Sequence, residues 1–337
     1  MTDWSDVVAR VSGLSGRLAS EQVIHVLAES RSLAALSVAL ATANILATPL
    51  ERATPRELEL AVRRHAAGRL RLLARWAGAR VRMLTPLYED EDRRSLRAVL
   101  RGAACGALPD ERMAGLIPTP ALPERVLHEL ARQGDVATLV AQLATMGNPY
   151  AAALREASMR QHPDLLQLES AVNRTFAARA TAAAAMADGA MRDYTQSVLD
   201  IENLWSALAL WPRRERLDVD HVFLAGGRWL TADAFRDLIQ APTAADRETQ
   251  LRRLSDAPIL SAAVTQPARA EDAVLDALID QAHATARVEP LGTAPVIRYV
   301  LELRRNVRSI DRIIWSLSMQ VPVIAVQRAL RPSAAAV

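Results

Sequence analysis

The sequence predicts an all-α protein assembled from a repeated helical unit, and three observations carry that expectation. Half of the 337 residues are apolar, yet only 4% are aromatic and 13 are glycine, so alanine and leucine supply the hydrophobicity. A sandwich or barrel would want more β-branched, aromatic and turn residues. Apolar residues also recur at steps of three and four over long segments, the period of a helix with one buried stripe. Finally, two unrelated sequence elements repeat at about the same long interval. Charged residues make up 23% with both signs interspersed, which excludes a disordered chain.

Along the chain, Thr54-Pro55-Arg56-Glu57 combines an N-cap, a proline at the first helical position and a capping-box glutamate. A helix is predicted from there to about Gly78. Residues 191–211 carry apolar side chains at 191, 194, 198, 201, 204, 208 and 211. Residues 296–317 do the same through Val300, Leu303, Val307, Ile310, Ile314 and Leu317. These segments predict long helices with a narrow seam, suited to antiparallel pairing in a bundle. Breaks are expected at Gly106 to Pro109, at Gly147-Asn148-Pro149, at Trp211-Pro212, at Gly226-Gly227 and at Pro258 and Pro290. The uncharged stretch 32–50 is read as an Ala-rich buried helix rather than a membrane span, because it contains Ser37, Thr42, Asn44, Thr48 and Pro49.

The repeats are more informative. Residues 20–42 align without gaps onto residues 123–145, with matches that include Glu21/Glu124, His25/His128 and Thr42/Thr145. A weaker third copy starts at Leu230-Thr231 and runs through Phe235 and Leu238. Independently, a polar pair followed by an apolar residue recurs within three long helices, around Asp92 to Leu96, Asp200 to Leu204 and Asn306 to Ile310. Both elements imply a period of about 105 residues, far beyond that of a solenoid. The expected organisation is three pseudo-symmetric helical bundles from one triplicated unit, over residues 1–113, 114–220 and 221–337.

The chemistry is defined largely by what is missing. All 41 basic residues are arginine, against 38 acidic ones, for a net charge of +3. With no lysine, a Walker A site, a Schiff base and a kinase-type site are excluded. Cys105 is the single cysteine, so no disulfide or Cys-based metal cluster forms within the chain. His25, His65, His128, His162, His221 and His283 are scattered and form no HExxH, and His25 and His128, at matched repeat positions, are read as packing or capping residues. Gly13-Leu14-Ser15-Gly16 has the wrong spacing for a nucleophile elbow, and Gly226-Gly227 reads as a turn rather than a phosphate cradle. The run Glu89-Asp90-Glu91-Asp92 reads as a solvated helix start rather than a divalent-ion site. A dense basic stretch, Arg63-Arg64, Arg69, Arg71, Arg75, Arg80 and Arg82, with Arg213-Arg214 and Arg304-Arg305 elsewhere, has few interleaved aromatics, and nucleic acid is therefore not expected as a partner. No catalytic, cofactor-binding or metal-binding residue is expected. The sequence opens without an apolar leader, so a cytoplasmic setting is expected.

Four segments resemble the C-type (in eukaryotes, d-type) subunit family of rotary V-type and A-type ATPases. Residues 9–18 (ARVSGLSGRL) resemble the family's opening AR-x-R-x-L-x-S-x-L. Pro86-Leu87-Tyr88 through Gly102 resembles its yD-x-x-N-LK-x-IL-x-G signature, of which Val198-Leu199-Asp200-Ile201-Glu202-Asn203-Leu204 is the best copy. Pro295 through Ile314 resembles P-x-x-x-Y-x-x-x-KE-x-EIRNI, with Arg304 and Asn306 in place of acids and Ser309 in place of asparagine. Ser95 likewise replaces an asparagine.

The resemblance implies a funnel of three helical bundles that sits on the membrane proteolipid ring, receives the foot of the central stalk, and passes torque between head and ring. The implied partners are central-stalk subunits of the D/F type and that ring, with no nucleic acid and no small-molecule substrate. The implied location is peripheral, at the inner face of the membrane. Arg93, Arg94, Arg304, Arg305 and Arg308, near the repeated elements, are the expected partner-binding residues, since an arginine fork can hold carboxylates or carbonyls bidentately. The alternative is a non-enzymatic helical-repeat regulator or an Arg-rich binding protein.

Overall fold

A computed structural model describes residues 2–159, 164–212, 218–254 and 256–330. All regular structure among them is helical, as the composition and periodicity predict. His162 and Arg213-Arg214 lie outside the described residues. The helices form two units, one of residues 1–78 with 271–337 and one of residues 79–270.

The first unit opens with α1 (Ser5–Ser15), the short pair α2 (Glu21–Ala28) and α3 (Leu33–Thr42), and the long α4 (Pro55–Ala77). Side-chain caps set three of the starts. Ser20 accepts from the Val23 N–H and Ser32 from that of Ala35, while Thr54 and Glu57 form the full capping box read from the sequence. α4 stops at Gly78, whose φ of +56° suits only glycine without strain. No helix among the described residues is long and apolar enough to cross a membrane. In stretch 32–50 the helix α3 ends at Thr42, and Asn44 takes a φ of +57° just beyond it.

The second unit follows through a 3-10 segment, Gly78–Leu84, into α5 (Thr85–Ala104) and α6 (Pro109–Arg112). Next come the short pair α7 (Glu124–Ala131) and α8 (Val136–Thr145), then α9 (Ala151–Ser158) and the long hairpin α10 (Leu165–Ala185) and α11 (Gly189–Leu210). It closes with α12 (Val219–Val222), α13 (Ala232–Gln240), α14 (Ala244–Arg252) and α15 (Pro258–Thr265). α5 packs along α10 and is covered by α6, α7 and α8, whereas α11 pairs with α10 and carries α13 and α15. Leu87, Leu96, Leu100, Leu127, Phe176 and Leu204 fill this core.

The chain then returns to the first unit with α16 (Ala270–Val288), α17 (Ala294–Ser318) and α18 (Val323–Leu330). α17 packs against α1, α2, α3, α4 and α18, so the last long helix organises the unit that the first residues begin. Trp4, Leu58, Leu73, Tyr299 and Ile314 are buried between these helices. Removing each large apolar side chain from water contributes roughly 1.5–3 kcal/mol.

The aligned repeats fold alike. α2 and α7 begin at Glu21 and Glu124, and α3 and α8 end at Thr42 and Thr145, the residues matched in sequence. The weaker copy at residues 230–238 becomes α13, capped by Thr231 and followed by α14.

Candidate functional site

The recurring polar elements act as clamps on backbone. Asn203, fully buried on α11, donates from Nδ2 to the Leu224 carbonyl at 2.8 Å and accepts at Oδ1 from the Leu224 N–H at 2.9 Å. Asn306 on α17 treats Ala19 identically, donating to its carbonyl at 3.1 Å and accepting from its N–H at 2.7 Å. Each carboxamide thus satisfies both backbone groups of one residue, as a neighbouring strand would. On α5, Asp92 accepts from the Thr119 hydroxyl, which in turn accepts from the Leu122 N–H at 3.0 Å. Every clamped segment leads into a short helix pair: Ala19 into α2, Thr119 to Leu122 into α7, and Leu224 into α13. The sequence alignment pairs Asn306 with Asp200, but the bonding pairs it with Asn203. The two registers differ by three residues, nearly one helical turn, so both fit the apolar period and only the bonded partner separates them.

Asp200 fixes the same loop as Asn203. Its carboxylate accepts from the N–H groups of Arg228 and Trp229 at 2.9 Å and of Leu230 at 3.0 Å. A Cβ on Gly227 would overlap that carboxylate, and Gly226 adopts a φ of +107°. The glycine pair is therefore a turn, as expected, built to let backbone reach Asp200.

The acidic run departs from its reading as a solvated helix start. α5 begins at Thr85, so the run falls in its second turn, where Glu89, Asp90, Glu91 and Asp92 are all buried. Four consecutive helical positions point all round the axis, so they cannot share one solvent face when helices cover every side. Instead they meet cations and donors, some from α5 itself and some from elsewhere in the unit. Arg179 on α10 clasps Glu89 from Nε at 2.9 Å and from its terminal nitrogen at 2.6 Å, and the Tyr150 hydroxyl donates to the same carboxylate at 3.0 Å. Arg93 joins Asp90 at 2.6 Å, Glu202 of α11 and Asn173 of α10, with its guanidinium 4.8 Å from the Phe176 ring centre. Arg97 continues the network to Glu202 at 2.6 Å and Glu169 at 3.3 Å.

Ionisation follows these contacts. Burial alone would raise the Glu202 carboxyl, but Arg93 and Arg97 pull it down to about 2. Asp92 has no such cation in contact; burial lifts it to about 7 against the Thr119 hydrogen bond, with Glu89 and Glu91 adding to the rise. Burial, then Glu89, also pushes the Tyr150 hydroxyl far up. No group of three or more His, Cys, Asp or Glu is placed to hold a metal among the described residues. The network registers α5, α10 and α11 against one another, and buried ion pairs of this kind specify position more than they add net stability.

The five arginines singled out from the sequence divide between the units. Arg93 and Arg94 lie on α5; Arg304, Arg305 and Arg308 lie on α17. Arg93 is 2% exposed and committed to the network, and Arg304 is also buried. Arg94 is partly exposed and 3.3 Å from Asp90. Arg305 lies 3.5 Å from Asp276, and Arg308 lies 2.8 Å from Glu271 and 3.1 Å from Asp272, all within the first unit. What the sequence reading misses is the asparagine pair and the Glu89–Tyr150–Arg179 link. The signal for the former is a polar residue sitting inside an apolar seam.

Clamps, caps and ion pairs serve here to fix the helices of an all-helical frame against one another. The comparisons with known proteins say which family has this frame. Residues 7–327 match the ATP synthase (C/AC39) subunit family, and the chain belongs to that family. It is 26% identical over 269 residues to the C subunit of the A-type ATP synthase of Haloquadratum walsbyi, covering 76% of this chain and 77% of the relative. It is 32% identical over 212 residues to the C subunit of the V-type ATP synthase of Thermus thermophilus, covering 63% and 62%. The chain is thus a non-catalytic subunit of a V/A-type ATP synthase rather than an enzyme in its own right.

Proposed function

We propose that this subunit is the socket of the central stalk, coupling the rotor shaft to the membrane proteolipid ring. Its partners are then the D/F-type stalk subunits and the ring, and it lies peripherally at the inner face of the membrane. Three helical repeats arranged about the shaft would supply the wall of the socket. The observation that carries the reading is the shared clamp. Asn203 secures the segment before α13, and Asn306 secures the segment before α2, so one device fixes the entry to a short helix pair in each unit. Segments held rigidly in this way suit a part that must not twist under torque. Of the five arginines, Arg94, Arg305 and Arg308 are exposed enough to meet a neighbouring subunit, with Arg93 and Arg304 holding their helices beneath.

The test is reconstitution of the synthase with and without this chain. With it, stalk and ring should co-purify and ATP hydrolysis should drive ion pumping. Without it, the head should hydrolyse ATP without pumping. Full pumping in its absence would refute the socket reading. Reversing Arg94, Arg305 and Arg308 together should lower affinity for the stalk, increasingly so at low salt, where surface charge is least screened.

A further inference from the structure

Between residues 60 and 88 there are seven arginines and no aspartate or glutamate. Arg63 and Arg69 of α4 meet other side chains. Arg63 turns inward to Glu59 and to Asp311, the latter at 3.0 Å, and Arg69 donates to His65 Nε2 at 3.4 Å. Arg64, Arg71 and Arg75 are exposed. With Gly68 they occupy steps of four, three and four, a single stripe along the helix. The Arg71 guanidinium lies over Gly68, 3.9 Å from where a Cβ would stand. At the end of the stripe Arg10 of α1, also exposed, covers Trp76 at 5.8 Å.

Some exposed arginines of this chain sit beside a carboxylate one turn away, as Arg125 does with Glu129 and Arg252 with Glu248. Arg71 and Arg75 have no acid on any adjoining turn of α4, and like charges one turn apart repel. Gly68, half-buried in mid-helix, carries a helix-stability cost relative to alanine.

We propose that this stripe is a docking face for an acidic helix of another protein subunit in the same synthase. Carboxylates spaced by one and two turns on the partner would each meet a guanidinium fork. The inference rests on the reading that the chain works inside an assembled rotary complex, and adds a contact apart from Arg94, Arg305 and Arg308. A lipid surface fits less well, since no large apolar side chain is exposed on α1 or α4 among the described residues. Nucleic acid would want uncovered aromatics, and Trp76 is covered.

Arginine-directed labelling with phenylglyoxal, read by mass spectrometry, tests this on the free chain and on the assembled synthase. Arg71 and Arg75 should react at least tenfold more slowly in the complex. Arg71→Glu with Arg75→Glu should be outcompeted by wild type at least tenfold during assembly, with an unchanged circular dichroism spectrum and melting point. Arg71→Gln with Arg75→Gln should show a smaller loss in the same direction. An assembled synthase in which both arginines react as fast as in the free chain overturns this inference and leaves the socket reading standing. Failure of the chain to join the synthase at all overturns both. Equal protection by vesicles of phosphatidylcholine and phosphatidylglycerol at 7:3 would make lipid the occupant and also overturn it.

Discussion

Asn203 and Asn306 are the residues whose removal should be felt most directly, and their burial ranks them. Asn203→Ala leaves the buried Leu224 N–H and carbonyl without partners, so a loss of about 2–3 kcal/mol is expected. Asn306→Ala frees Ala19, which water can reach, and should cost about 1 kcal/mol. Urea unfolding of both variants checks the order, and equal losses would refute the ranking. Arg93→Leu should be worse than either. It removes the buried cation between Asp90 and Glu202 and leaves them Arg94 and Arg97, at about 3–5 kcal/mol. Arg93 also shows where sequence reading stops. Its position beside a repeated element is visible in the sequence, but whether it faces solvent depends on α10 and α11, which lie about 70 to 120 residues further along the chain.

At the scale of elements, the sequence discloses those features whose cause is local. The Thr54 capping box and the ends of the aligned helix pairs rest on neighbours in the chain. The acidic run on α5 defies a sequence reading because the helices that bury it, and the partners Arg179, Tyr150 and Thr119, lie far along the chain. Two glycines make opposite predictions. Gly227→Ala drives a methyl group into the thrice-bonded Asp200 carboxylate and should destabilise by about 2 kcal/mol. Gly68→Ala meets only ordinary contact and should stabilise the free chain by about 0.5–1 kcal/mol. Thermal melts of the two variants should therefore shift in opposite directions.

For the whole molecule, buried carboxyls set the pH dependence. Asp92 in the second unit is raised to about 7, and Asp311 in the first to about 6, in both cases chiefly by burial. A folded-state pKa raised above the unfolded value gives stability that is complete below the unfolded value and lost as pH rises through the folded one. Both groups therefore weaken the fold between pH 4 and 7. Glu202, lowered to about 2, works the other way and loses its contribution only as pH falls below the unfolded value towards 2. Stability should consequently rise on going from pH 8 to pH 5, by about 2 kcal/mol for Asp92 alone. Asp92→Asn should flatten that rise in the second unit. A wild-type melting point that is highest at pH 8 would contradict the assignment. The family is legible in four degenerate motifs read together, whereas the clamp register is not, because an apolar period accommodates both alignments.

The discontinuity of the first unit also has a consequence for synthesis. Residues 79–270 are contiguous and can pack as they leave the ribosome, but residues 1–78 lack α17, their main packing partner, until residues 294–318 emerge. At about 5–20 residues per second, the early helices wait roughly 10–40 s with the face that α17 will cover still open. The pairing of Asn306 with Ala19 is thus a late event, made only after the 287 residues that follow Ala19 have been translated. A nascent chain stalled before residue 294 should present α1 to α4 to proteases and chaperones, while its middle segment is already resistant.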